Sequence, residues 1–364
     1  MSYNSYSPIG FLERFVAVQL RAAGLVFGAA GLGVFLATIG DYYVQNNFTE
    51  LISEIAIGGF FLLVGLELRR EFASGALSGA TLRVAIAATL AGIVLPATFF
   101  ILFAPDDARN GWVAVVATDI ALASAIAVLG GFRNKVRVLL LAIAVLDDLG
   151  GVLALATTGQ NPEFFYIFLA VTTIGVFAWA IRRFNLGVLF TLATTALVVW
   201  LMLGASLHPS LGAFAVGFVV PHFDPDNPSV AERVEEKIHP YVAAILLPVF
   251  VFLHTLIPLR VPDGTSSDLI VITMGAILVG KISGIGVVLT VMRKSVGISI
   301  SEALAVGFAA SAALTVALIG VDATLADSKY EEVIGLGIIG ATAIAVVLGV
   351  VAGRVAKKEI SEST

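Results

Sequence analysis

Cysteine is absent from this chain of 364 residues. Its absence excludes disulfide bonds, thiolate metal sites and cysteine nucleophiles. Charged residues are also scarce: they make up 13% of the sequence, about half of the roughly 25% found in soluble domains. Long polar linkers are missing too, since the longest loop between apolar blocks runs only from Pro221 to His239. We therefore expect a single domain over residues 1–364.

Apolar residues dominate instead. They make up 59% of the sequence, the mean hydropathy is +1.00, and they come in blocks of about twenty residues. A bilayer core of ~30 Å needs ~20 apolar residues per helix. One or two such blocks are compatible with buried soluble helices, but a dozen are not. The blocks predict an all-α membrane protein whose twelve transmembrane helices lie near residues 22–40, 54–68, 84–104, 112–130, 137–158, 163–181, 186–203, 207–221, 241–258, 269–291, 302–320 and 332–353.

The basic residues indicate how these spans are oriented. The N-terminal segment, residues 1–21, lacks the order of a cleaved signal peptide, and we place it in the cytoplasm. With alternating sides, only Arg109, Arg260 and Lys329 fall outside, and Lys281 lies within span 10. The other seventeen of the 21 fall inside: Arg14, Arg21, Arg69, Arg70, Arg83, Arg133, Lys135, Arg137, Arg182, Arg183, Arg233, Lys237, Arg293, Lys294, Arg354, Lys357 and Lys358. This bias is typical of cytoplasmic loops, so we expect both termini inside.

Two adjacent acids, Asp147 and Asp148, lie about halfway along span 5. At ~1.5 Å per residue the nearest end of the span is roughly 15 Å away, too far for a short side chain to reach water. Each acid costs at least ~3 kcal/mol in lipid, so a buried structural pair is the less favoured interpretation. Neighbours on a helix point ~100° apart. We therefore expect one carboxylate to face an ion cavity and the other a cation on another helix.

Lys281, in the middle of span 10, is the obvious cation. An ammonium at that depth must be paired or lose its proton. Two interpretations follow, and they overlap. Lys281 is either one half of a structural salt bridge or a group whose proton or pairing changes during transport.

A third deep acid, Asp119, follows Ala117 and Thr118 in span 4. It is either the cap of a helix broken at this point or a direct oxygen ligand of a hard cation. Span 11 has a similar centre of small residues between Gly307 and Thr315. Spans 4 and 11 are seven apart and so run in opposite directions, as do spans 3 and 10 and spans 5 and 12. This offset is that of an inverted-topology repeat of spans 3–5 and 10–12, with spans 4 and 11 crossed and interrupted.

Charged clusters lie where spans 2 and 9 approach the cytoplasm. The first holds Glu67, Arg69, Arg70 and Glu71, and the second runs from Glu232 to His239 and includes Glu235. Such clusters are usually solvated helix ends. The alternative is a cytoplasmic ion funnel or pH sensor.

Taken together, these residues resemble the NhaA family of sodium–proton antiporters. The similarity runs in family order over nearly the whole chain. The stretches that carry it are Phe60–Glu71, Gly111-Trp112 with Ala117–Ala121, Leu146-Asp147-Asp148-Leu149-Gly150, His239-Pro240 with Leu247-Pro248, and Gly280-Lys281. Two stretches depart from the family: Ala309–Thr315 replaces Gly-Ile-Gly-Phe-Thr-Met-Ser, and His254–Leu256 replaces Asn-Ala-Gly. We expect a somewhat divergent member.

The resemblance implies roles for individual residues. Asp148 is the principal sodium and proton carboxylate, and Asp147 is the second carboxylate, paired with Lys281. Asp119 compensates the helix-end dipoles, and Thr118 lies beside the site. Three residues match positions that are tied to pH regulation in the family: Arg70, Glu71 and Glu235.

The activity implied is electrogenic exchange of cytoplasmic sodium or lithium for external protons, by alternating access in a prokaryotic plasma membrane. The expected partners are sodium, protons, the lipid bilayer and a second copy in a homodimer, without a cofactor or nucleic acid. One alternative keeps the fold but couples sodium to uptake of an organic solute. The other is an intramembrane aspartate-dependent enzyme. Adjacent acids do not suit that chemistry, which needs two aspartates on different helices that share a proton.

Overall fold

Every element in the described part of the chain is a helix. The computed structural model describes residues 8–40, 47–74, 79–156, 163–184, 186–221, 229–259, 267–325 and 328–363. The helices are α1 Pro8–Gly40, α2 Asn47–Ser74, α3 Gly79–Phe103, α4 Trp112–Val116, α5 Ile120–Leu129, α6 Asn134–Ala156, α7 Phe164–Phe184, α8 Val188–Gly204, α9 Pro209–Val219, α10 Val230–Tyr241, α11 Leu247–His254, α12 Asp268–Gly275, α13 Lys281–Val296, α14 Ile300–Ala310, α15 Thr315–Leu325 and α16 Glu331–Ser363. A 3₁₀ turn, Asp106–Gly111, precedes α4. Wider π turns at Val242–Leu246 and Ala276–Gly280 join α10 to α11 and α12 to α13.

Between seven and nine helical segments in the described ranges are long and apolar enough to cross a membrane. Seven are continuous: Arg21–Gly40, Leu51–Arg70, Gly79–Phe103, Phe164–Phe184, Val230–His254, Asp268–Val296 and Glu331–Glu362. The other two are bent pairs, in which Asp106–Val116 meets Ile120–Leu129 at 53° and Ile300–Ala310 meets Thr315–Leu325 at 47°. The bent pairs coincide with predicted spans 4 and 11, so both predicted interruptions are present.

Three predicted spans lie outside this group. Helices α8 and α9 have 17 and 11 residues, fewer than the ~20 that a bilayer core requires. Helix α6 has 23 residues, enough to cross a bilayer core, but some of its side chains, including that of Asp148, lie outside the described residues. The count of twelve spans therefore stays a prediction. At the N-terminus, α1 begins at Pro8, so the helix extends into the predicted cytoplasmic segment.

Glycines set how closely the helices that carry the site approach one another. A Cβ added at Gly284 of α13 would lie 2.5 Å from the carbonyl oxygen of Ala91 in α3, and one at Gly280 would lie 2.6 Å from Cα of Pro96. A side chain would push the two backbones apart at both points. The π turn that ends at Gly280 comes directly before Lys281. Helix α3 therefore packs against the backbone that presents this lysine.

Candidate functional site

The breaks in the two bent pairs touch each other inside the protein. The first break is Ala117–Asp119, between α4 and α5, and the second is Ser311–Leu314, between α14 and α15. The backbone N–H of Asp119 donates to the carbonyl oxygen of Ala312 at 2.8 Å. Most residues at both breaks are small, which lets the two chains approach closely. Backbone groups that a continuous helix would satisfy are therefore gathered at one buried point.

Asp119 covers the helix N-termini at this point. It is the N-cap of α5, and its Oδ1 accepts from the backbone N–H of Leu122 at 3.1 Å. Its Oδ2 accepts from the Thr315 hydroxyl at 2.6 Å and from the Thr315 backbone N–H at 3.3 Å, where α15 begins. One carboxylate thus satisfies donors at the starts of both second half-helices. Its negative charge lies at their partially positive ends. Of the two interpretations of Asp119, a helix cap or a cation ligand, this geometry corresponds to the helix cap.

Lys281 covers the opposite ends. Its Nζ donates to the carbonyl oxygen of Ala117, which follows α4, and lies 3.5 Å from that of Ala310, the last residue of α14. Carbonyl oxygens at helix C-termini carry partial negative charge, and a cation stabilises them. Its side chain has no exposed surface. The ammonium is therefore held between the ends of the two first half-helices.

The same ammonium pairs with an acid from α6. Lys281 Nζ lies 2.6 Å from Asp147 Oδ2 and 2.6 Å from Thr118 Oγ1. The Thr118 hydroxyl is 2.5 Å from Asp147 Oδ2 and 2.8 Å from the Ala310 carbonyl oxygen. It has one hydrogen and can donate to only one of these acceptors at a time. Three of the predicted site residues therefore form one buried cluster, next to the break that Asp119 caps.

The second oxygen of Asp147 is open. Its Oδ1 is buried and has no hydrogen-bond partner in the described part of the chain. An unpartnered buried carboxylate oxygen is costly unless a proton or a cation satisfies it. Asp148 is in α6, but its side chain lies outside the described residues. The described geometry therefore shows one acceptor position on Asp147 that suits a proton or a small hard cation.

The residues predicted for pH regulation are separate from this cluster. Arg70 Nη1 of α2 lies 2.5 Å from Glu235 Oε1 of α10. Glu67, one turn before Arg70, is buried. The Glu71 side chain lies outside the described residues. Of the two predicted charged clusters, the structure thus joins one residue from each.

Sequence reasoning did not assign a role to some of these groups. Thr315 begins α15 directly after a run of small residues, and a hydroxyl residue in that place is a recognisable helix-start signal. The carbonyl oxygens of Ala117 and Ala310 have no such signal, because every residue has one. They become ligands for Lys281 only because the helices stop there.

The chain is similar to known proteins over most of its length. The family model described as Na+/H+ antiporter 1 matches residues 29–352. A Na(+)/H(+) antiporter NhaA of Salmonella paratyphi A is 31% identical in an alignment of 296 positions that covers 74% of this chain and 74% of the relative. One from Salmonella arizonae is 32% identical in an alignment of 298 positions, which again covers 74% of each chain.

A solved structure shares the fold. It is that of a sodium proton antiporter from Methanocaldococcus jannaschii, with a TM-score of 0.60 and 13% sequence identity. The match covers 95% of this chain and 97% of the other. At this identity the likeness concerns the fold alone.

Proposed function

The chain belongs to the Na+/H+ antiporter 1 family, and we propose that it exchanges cytoplasmic sodium or lithium for external protons at the buried site of Asp147, Asp148 and Lys281. Members of this family are transporters, so the chain is not an enzyme. Coupling to an organic solute, the other alternative, receives no support from the family.

The observation that carries the proposal is the state of Asp147. One oxygen pairs with Lys281 and the other is buried without a partner in the described part of the chain. Such a carboxylate accepts either a proton or a sodium ion, but the two compete for the same lone pairs. Sodium binding therefore displaces protons, and a high proton concentration displaces sodium. This competition is the chemistry of antiport.

The mechanism follows from that competition. Protons from outside load Asp147 and Asp148, the protein changes the side to which the site opens, and the protons leave on the cytoplasmic side. Sodium then occupies the carboxylates and is carried out. Asp148 is the main carrier in this scheme, and Asp147 exchanges its partner between Lys281 and the ion. At acid pH the site stays protonated and exchange stalls.

The electrogenic character has a simple electrostatic basis. The site has two carboxylates and one ammonium. Its two carboxylates can bind two protons, whereas one sodium ion carries a single positive charge. A cycle that moves more protons than sodium ions transfers net charge across the membrane. The membrane potential then drives the cycle as well as the pH gradient, at about 2.3 kcal/mol per charge per 100 mV.

The ion pair of Arg70 with Glu235 supports a regulatory role. It joins α2 to α10, at the end of the molecule where the sequence predicts the cytoplasm. Breaking this ion pair would weaken the link between the two helices at that end. We assign pH regulation to this pair, together with Glu67 and Glu71, which are close to Arg70 in the sequence.

Several wider features belong to the same proposal. The two breaks are capped in the same way, and this pseudosymmetry supports an inverted repeat that relates α3–α6 to α12–α16. The repeat needs α6 to cross the membrane, and twelve spans result if α8 and α9 cross as well. The chain resides in a prokaryotic plasma membrane as a homodimer, with both termini in the cytoplasm.

Reconstituted vesicles test the function. Purified protein is placed in proteoliposomes with a pH-sensitive dye inside, and gradients of sodium, lithium or potassium are applied across a range of pH. Sodium and lithium are expected to drive proton movement without any organic solute, and the signal should disappear toward acid pH. Clamping the membrane potential with valinomycin and potassium should change the rate, because the cycle moves charge.

Two variants complete the test. Asp148→Asn removes one titratable carboxylate and should abolish the exchange, whereas Glu163→Gln, at an exposed position, should leave it unchanged. Sodium-driven proton movement at the wild-type rate in Asp148→Asn would contradict the assignment. A strict need for an organic solute would favour the symport alternative.

A further inference from the structure

An apolar cleft opens on the side of the molecule between α1 and α16. It has a volume of about 540 Å³ and is lined by α1 from Phe27 to Ile39, by Leu259, by Leu314 and by α16 from Ile339 to Ala343. Four separate parts of the chain thus surround it. It is distinct from the Asp147–Lys281 cluster, since neither residue lines it.

The cleft lies within the hydrocarbon-crossing part of α1. The candidate span of this helix is Arg21–Gly40, and the cleft follows it from Phe27 to Ile39. At ~1.5 Å per residue that distance is about 18 Å, close to the ~15 Å depth of one leaflet in a core of ~30 Å. The length of the cleft along α1 is therefore similar to the depth of one leaflet, which is the distance that one lipid tail spans.

The polar groups of the cleft are already used. The Thr38 hydroxyl donates to the Val34 carbonyl oxygen at 2.7 Å and accepts from the Leu259 N–H at 3.0 Å. The Thr342 hydroxyl donates to the Ala313 carbonyl oxygen at 2.5 Å. A buried water needs two to four polar partners, and neither threonine has its hydrogen to give. The lining thus favours hydrocarbon over water.

The wall of the cleft is recessed at one glycine. A Cβ added at Gly31 of α1 would meet nothing within 4 Å. Nearby, Phe35 and Ile39 are 58% and 70% exposed. Both lie on a helix that is long and apolar enough to cross a membrane. These apolar surfaces need a hydrocarbon partner.

The floor of the cleft belongs to the functional region. Leu314 is 1% exposed and is the last residue of the break between α14 and α15. Thr342 binds the neighbouring Ala313, and Ala312 accepts from Asp119. A molecule that fills the cleft therefore touches the break between α14 and α15, which forms a hydrogen bond with Asp119.

We propose that this cleft binds one acyl chain of a membrane phospholipid, which packs against the break between α14 and α15. The proposal concerns binding and is independent of the ion that the protein carries. The occupant is a lipid tail because the cleft is apolar, one leaflet long and open toward the hydrocarbon core.

Photochemical labelling tests the proposal. The full-length protein is reconstituted with a phosphatidylcholine that carries a diazirine in its acyl chain, irradiated, and mapped by mass spectrometry. Adducts are expected on residues 27–39 and 339–343 at several times the level on the exposed face of α7, where Phe164 and Phe168 are 78% and 67% exposed. That face is bathed by lipid but has no cleft, so it reports unspecific contact.

Filling the cleft gives the matched comparison. Gly31→Phe should lower the cleft adducts several-fold, and the smaller Gly31→Leu should lower them less. Gly24→Phe is the control, because Gly24 lies on the same helix, also has open space around its Cβ and does not line the cleft. Adducts equal to those on α7, or unchanged by both Gly31 variants, would overturn the proposal. So would efficient cross-linking of Gly31→Cys to a second copy, since the chain has no other cysteine.

Discussion

At the residue scale, the site balances two charges against four helix ends. Asp119 accepts from donors at the starts of α5 and α15, while Lys281 faces the carbonyl oxygens that follow α4 and end α14. Asp147 then compensates the lysine. Each charge therefore depends on the others, and removing one leaves a buried group unsatisfied.

This dependence predicts the effect of removing the lysine charge. Lys281→Met leaves the Asp147 carboxylate buried without its cation, which typically costs ~3–5 kcal/mol of stability. The double variant Lys281→Met with Asp147→Asn removes both charges and should recover most of that loss. Thermal unfolding in detergent measures both effects. Lys358→Met is the control, because the Lys358 side chain is 78% exposed. Equal losses in the single and double variants would show that the pair is not a unit.

The hydroxyl of Thr315 offers a finer test. Thr315→Val keeps the shape of the side chain but removes the 2.6 Å hydrogen bond to Asp119. A hydrogen bond to a charged group contributes about 1.5–3 kcal/mol, so a loss of this size is expected on unfolding. The control is Thr324→Val, whose hydroxyl donates to the carbonyl oxygen of Gly320 in its own helix. If both variants lose the same stability, the contact with Asp119 contributes nothing special.

The charged residues of the site were predictable, and their backbone partners were not. Asp119, Asp147 and Lys281 stand out because a charge deep in an apolar span is expensive. The structure gathers these three residues at the two breaks. The carbonyl oxygens of Ala117 and Ala310 contact Lys281 only because two helices end beside α13, which carries the lysine. No local pattern in the sequence predicts that arrangement.

At the element scale, the interruptions could be predicted because small residues cluster around them in spans 4 and 11. The altered span 11 still presents its break to the site, since Ala312 and Thr315 both contact Asp119. Helix lengths were less predictable. Hydropathy marks the apolar part of a helix, and polar ends such as that of α1 continue as helix beyond it.

Close packing of α2 against α9 gives an element-scale prediction. A Cβ at Gly65 would lie 2.3 Å from the carbonyl oxygen of Phe214, and one at Gly217 would lie 2.3 Å from that of Leu62. Backbone atoms cannot move aside as a flexible side chain does, so Gly65→Ala should cost about 1–3 kcal/mol of stability.

The same helix carries the control for this prediction. The nearest atom to a Cβ at Gly58 is 3.8 Å away, so Gly58→Ala should be neutral or stabilising by up to about 1 kcal/mol. Unfolding temperatures in detergent compare the two variants. A Gly65→Ala protein as stable as Gly58→Ala would mean that the two helices are not held this closely.

At the scale of the whole molecule, the distribution of basic residues predicts which end faces the cytoplasm. Arg133 lies at the end where these residues concentrate, and it pairs with Glu302 of α14 through two hydrogen bonds. The hydrogen bonds that Arg133 donates to Glu302 raise the pKa of the Arg133 guanidinium above its usual value. The arginine therefore keeps its positive charge, and the pair joins the ends of the two interrupted spans on that side.

Thiol labelling checks the sidedness directly, because the chain has no cysteine of its own. Lys329→Cys and Lys358→Cys each introduce one thiol at an exposed position. A membrane-impermeant maleimide should label the first only from outside intact cells and the second only in inside-out vesicles. Labelling of both from the same side would contradict the assigned topology and the alternation of the spans.

The central claim is that sodium and protons compete for the carboxylates of Asp147 and Asp148. The most direct test adds sodium to the purified, detergent-solubilised protein in weakly buffered solution and measures the protons released. The wild-type protein and Glu163→Gln should both release protons on sodium addition. The double variant Asp147→Asn with Asp148→Asn should release none. Release from that double variant equal to the wild-type release would contradict the account.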